Sequence, residues 1–194
     1  MGELYDLEQA RNLKAAQRCF GRWERRLGHT PAAGDKVTDL PDLVLGRLAE
    51  LDSEATLAIY DLVLGVRGWG AGERFIYLES KPKMEALDAF FFVADQVRFE
   101  LMRRLGWVED LAGEHHSLLE LAARPLDIQA GFQPKVPRLI PAYHRYQELK
   151  ERLFLEPGAV VRSLIPEALL VFRRRVVEGA QEEPPGPLKD PPRS

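Results

Sequence analysis

PKMEALDAFFFVADQVRFELMRRL, Pro82 to Leu105, is the stretch that decides the fold. At about 100° per residue, Phe90, Phe91 and Phe92 alone spread over more than half of a helical wheel. Met84, Leu87, Ala94, Phe99, Leu101 and Met102 complete an apolar arc wider than a surface helix needs. A helix this greasy has to be covered on several sides, which makes it the central element of an all-α core. Asp88, Asp95 and Arg98 fall inside that arc, while Glu85, Gln96, Glu100 and Arg103 take the polar remainder. Arg98 stands three residues beyond Asp95, within side-chain reach on one helix face. Buried ions must be paired, hydrogen-bonded or solvated, so the wheel predicts either a structural pair or a polar pocket in the bundle.

Working outward, helical periodicity continues on both sides. RRLG occurs at Arg25–Gly28 and again at Arg103–Gly106. Each time, arginines sit in the last turn, where the helix dipole is negative, and glycine follows where a left-handed residue closes a helix. The pattern predicts helices over 4–27, 40–51, 54–67, 82–105, 110–124, 141–155 and 165–178. Asp39 and Ser53 read as N-caps, and Pro82, Pro141 and Pro166 suit first turns. Phe75–Leu78 (FIYL) reads as a lone extended connector, and Pro125–Ile140, with three prolines, as an irregular crossing. From Gly179 the chain is proline-rich with little to bury, which predicts a disordered tail. The expected architecture is therefore all-α, a bundle-like single domain of about seven helices over 1–178, around the 82–105 helix. The tail is 179–194. The DLVLG at Asp42–Gly46 recurs only once, at Asp61–Gly65, so no solenoid is implied.

Composition bounds the function. The 194 residues suffice for one domain that buries about 70% of its unfolded surface. A net charge of −3 argues against general affinity for nucleic acid or anionic membrane. Cys19 is the sole cysteine, so no internal disulfide forms, which fits a cytoplasmic setting. MGELYDLEQARN has no apolar core of a signal peptide, and the longest greasy run carries too many charges to span a bilayer.

Catalytic motifs are missing. Gly65, Gly68, Gly70 and Gly72 crowd the stretch after the third helix, but a phosphate loop needs a preceding strand and either GxGxxG or GxxxxGK[ST]. Turn chemistry accounts for these glycines, with a secondary reading in which Arg67, Trp69 and Arg74 frame an anionic or aromatic ligand. His116 with Glu120, and His144 with Glu148, have metal-site spacing but lie on wet faces, so neither a metal nor a cofactor is expected. His115 falls on an apolar stripe instead, as a core or interface histidine.

One face stands out elsewhere. Arg11, Lys14, Arg18, Arg22 and Arg25 align on the first helix opposite Leu13, Ala16, Phe20, Trp23 and Leu27. A basic amphipathic helix of this kind docks on an acidic protein, a nucleic-acid backbone or a membrane surface. The leading expectation is a non-enzymatic interaction or adaptor module that uses this face on an acidic partner. PxxP at Pro184–Pro187 offers a second contact, and self-association stays open. The alternative is an anionic-ligand binder or enzyme built on Asp88, Asp95 and Arg98, with the Arg67–Arg74 loop over it. A third reading is nucleic-acid association through the same basic helix.

Overall fold

The computed structural model describes residues 13–110, 116–123 and 135–181. Both RRLG sequences end a helix, and the reason is local. Gly28 has φ 69° and donates its N–H to Glu24 O, while Gly106 has φ 71° and donates to Arg103 O. The helices are α1, of which residues 13–20 are described, then α2 Trp23–Leu27, α3 Asp42–Glu50 and α4 Ser53–Arg67. After these come α5 Ser80–Arg104, α6 Leu118–Ala123, α7 Tyr146–Leu155, α8 Pro157–Ser163 and α9 Ile165–Gln181. The fold is all-α, a single helical body, and no strand occurs among the described residues.

Several boundaries differ from the sequence expectation. The first helix breaks at Gly21–Arg22 into α1 and α2, and its residues before 13 lie outside the described region. Asp52, not Ser53, caps α4: its Oδ1 accepts the Ala55 N–H at 2.7 Å. Burial raises the Asp52 pKa, but that bond and Arg47 outweigh it, and the carboxyl ends below its ordinary range. Asp39 caps the 3-10 turn Val37–Asp39 by accepting Lys36 N–H, and α3 starts later, after Pro41. α7 begins at Tyr146 and not at Pro141, and Pro157 opens α8, a helix the sequence reading left out. FIYL is not extended. It lies largely in the 3-10 segment Gly72–Tyr77, which lays Phe75 on Tyr60 (ring centroids 4.2 Å apart). Tyr60 in turn stacks on Phe90 at 4.6 Å, so three aromatic rings pin the connector to the core. His115, most of the 125–140 crossing and the tail beyond Gln181 lie outside the described residues.

Packing explains the arrangement. α5 touches α3, α4, α6, α9 and both 3-10 segments, as a central helix must. α4 is buried more completely still, with every residue from Ala58 to Gly65 out of solvent. α9 closes the far side of α3 and α5 through Ala168 and Phe172. One flank of α5 stays open, where Met84 and Phe91 are each more than half exposed.

Candidate functional site

The basic face is built by the break at Gly21 and by what lies under it. Lys14, Arg18, Arg22 and Arg25 are exposed, and Arg11 lies outside the described residues. Cys19, Phe20, Trp23 and Leu27 of the same segment are buried in the core. Trp23 Nε1 donates to Ala58 O at 3.0 Å, tying α2 to the most buried helix. Arg22 has only a long contact, 3.9 Å, to Asp61, whereas Lys14, Arg18 and Arg25 make no ion pair among the described residues. Burial pushes the Cys19 thiol up to about 12, against a lowering by Arg18, so it is no nucleophile at neutral pH.

Arg26, next to this face, points inward and is the residue that sequence reasoning missed. It is 4% exposed, and its Nε donates to Asp61 Oδ2 at 2.8 Å. Nη1 reaches Glu54 Oε2 at 2.9 Å and Nη2 bonds Glu73. Burial works against its charge, but the hydrogen bonds to Asp61, Glu73 and Glu54 outweigh it and hold the guanidinium protonated. Asp61, 1% exposed, also accepts the Gly72 N–H at 2.6 Å. That bond needs glycine: a Cβ at position 72 would lie 2.6 Å from Leu57 O. Asp61 is therefore closed off from solvent by Arg26 and the loop at Gly72. A signal for Arg26 existed, because it falls on the same wheel face as Trp23, three residues away.

Asp88, Asp95 and Arg98 do not form one pocket. Asp88 is exposed. Asp95 Oδ2 accepts from Arg162 Nε of α8 at 2.8 Å in a partly exposed pair. Arg98 turns the other way and donates Nε to Ala49 O at 3.1 Å, its pKa lowered by burial against a partial offset from Asp95. The two carboxylates instead share an open cleft of about 340 Å³ with Phe91, Phe92, Phe99 and Arg162. Glu100, placed on the polar arc by its wheel position, is buried, and its carboxylate is held by both Arg103 and Arg104. It floors a cavity of about 70 Å³ that Lys36, Gln96 and His116 also line.

The glycine loop is a helix stop. Gly68, at φ 70°, caps α4 and donates to Gly65 O, while Trp69 N–H reaches back to Leu64 O. Arg67 lies over the Trp69 ring at 5.5 Å, and Arg74 is exposed. Of the histidine pairs, His144 faces Glu167 at 3.4 Å while Glu148 bonds Arg145. Glu120 accepts from Ser117 N and Oγ, and no three His, Cys, Asp or Glu gather among the described residues. No described helix is long and apolar enough to cross a membrane. No protein-family model, curated protein or solved structure matches this chain.

Proposed function

We propose that the protein is a non-enzymatic interaction module that docks an acidic protein partner on Lys14, Arg18, Arg22 and Arg25. One observation carries the reading: three of these four cations are exposed with no ion pair among the described residues, on a chain whose net charge is −3. Unpaired like charges side by side repel, and an acidic surface relieves that repulsion while steering the encounter. The opposite face is anchored by Cys19 and Phe20 on α1 and by Trp23 and Arg26 on α2, so the cations are presented on two anchored helices, and docking orders little besides their side chains.

The test is fluorescence anisotropy with a labelled glutamate–aspartate peptide at low salt, against the wild type and Arg18→Glu/Arg25→Glu. Binding that is lost in the charge-reversed variant, with its thermal midpoint unchanged, supports the reading. Equal binding by both proteins refutes it. Tighter binding to duplex DNA than to the acidic peptide, with a steep salt slope, moves the assignment to nucleic acid.

A further inference from the structure

Arg67 is the last residue of α4, and its guanidinium is half satisfied. Nη1 donates twice to main-chain carbonyls, to Val63 O at 3.0 Å and to Ala122 O of α6 at 3.1 Å. Nε and Nη2 are buried and have no hydrogen-bond partner among the described residues. The two bonds from Nη1 and the Trp69 ring fix the plane of the group. What is left over is one edge, the Nε–H and Nη2–H pair that lies parallel and receives two oxygens at once. Leaving charged donors buried and unpaired costs more than almost any other polar arrangement, so such an edge calls for an acceptor.

We infer that the Nε–Nη2 edge of Arg67 receives the carboxylate of a small-molecule ligand. Its geometry suits a planar two-oxygen group. Charge decides between oxyanions. One guanidinium neutralises one negative charge, and Glu85 is already near enough to act on Arg67 electrostatically. Counting Glu85, a doubly charged phosphate would leave two net negative charges beside the buried guanidinium, whereas a monocarboxylate leaves one. The ring against the guanidinium, Trp69, is carried between Gly68 and Gly70, both at positive φ (70° and 102°). The piece beside the site is thus a two-glycine turn and not a packed helix, and its ring gives an incoming carboxylate with an apolar body a surface to lie on. Burial lowers the Arg67 pKa, with only partial relief from Glu85, which agrees with a cation short of a counter-ion.

The experiment follows the Arg67 Nε–Hε resonance of the full chain by NMR, assigned by its absence in Arg67→Lys. Sodium acetate and sodium benzoate are titrated at constant ionic strength, with phosphate and chloride as separate arms. The expected result is a saturable shift in the millimolar range with the carboxylates, accompanied by a rise in thermal midpoint. Arg67→Lys keeps the charge and loses the fork, so carboxylate affinity, read in that variant from the rise in thermal midpoint, should fall by about tenfold or more. The wild-type titration stands by itself should that variant fold poorly. A flat response to carboxylates overturns the inference, as does the same shift with phosphate or chloride. So does a comparable movement of the resonance on Glu85→Gln alone, which would give the edge to Glu85.

Discussion

Asp61→Asn is the substitution on which the description of the core stands most exposed to test. The change is isosteric and keeps one oxygen to accept the Gly72 N–H, so the loop is left in place. It removes the charge facing Arg26, whose side chain is 3% exposed against 1% for Asp61. Breaking a buried pair by removing one partner costs about 3–5 kcal/mol. Arg26 keeps Glu54 and Glu73, whose side chains are about half exposed, so the lower end applies. At about 2–4 °C per kcal/mol for a chain of this size, the midpoint should fall by roughly 6–12 °C. Glu73→Gln, at the solvent end of the same guanidinium, should cost no more than about 1 kcal/mol. Urea unfolding followed by far-UV circular dichroism gives both differences, and the slope with denaturant should stay constant. The double variant Arg26→Met/Asp61→Leu should be more stable than Asp61→Leu alone, because no unpaired ion remains. An Asp61→Asn loss no larger than that of Glu73→Gln would refute the claim that this pair is a closed, desolvated ion pair.

Three further outcomes follow from the same geometry. Its own backbone N–H and then Arg26 hold the Glu73 carboxyl below its ordinary range. Its folded pKa is depressed, so its contribution is complete above about pH 4.3 and is lost as pH falls through the folded value; acid titrations should show a shallower loss in Glu73→Gln. Asp95→Asn should move stability by no more than about 1 kcal/mol, because its bond to Arg162 is partly exposed; a loss like that of Asp61→Asn would return Asp95 to the core. Cys19 should react with a thiol reagent at the rate of global unfolding, and fast labelling in native buffer would contradict its burial.

Helix ends and the central helix were legible in the sequence because their causes are local: arginine–glycine stops, and an apolar arc too wide for a surface. The same wheel misjudged Asp95 and Glu100, and for one reason. Angle around an axis says which residues share a face, not which neighbour covers it. Arg103 and Arg104, within four residues, close over Glu100 and let it be buried, whereas α8 meets Asp95 at the rim. FIYL misled because a four-residue apolar run has no period. Its conformation is set by Tyr60 and Phe90, which are distant in sequence. Asp61 could be placed only once Arg26 was known to point inward, a fact that depends on two helices at once.

Two arginines lose water at α4, and they are treated in opposite ways. Asp61, projecting from this helix, meets Arg26 with a carboxylate, and Glu54 and Glu73 take its other nitrogens, so every cationic nitrogen has an oxygen. Six residues on, Arg67 ends the helix with two nitrogens unanswered among the described residues and only carbonyls on the third. Burial weighs against the charge of both, yet ion partners overcome it for Arg26 and not for Arg67. A side chain needed only to lie on Trp69 and fill space could be apolar at lower cost, since an uncompensated buried charge is among the most destabilising features a core can hold. The Arg26 network shows that this chain does surround a buried guanidinium with carboxylates where stability alone is served. No carboxylate among the described residues bonds the free edge of Arg67, and that difference from Arg26 is what the proposed ligand answers.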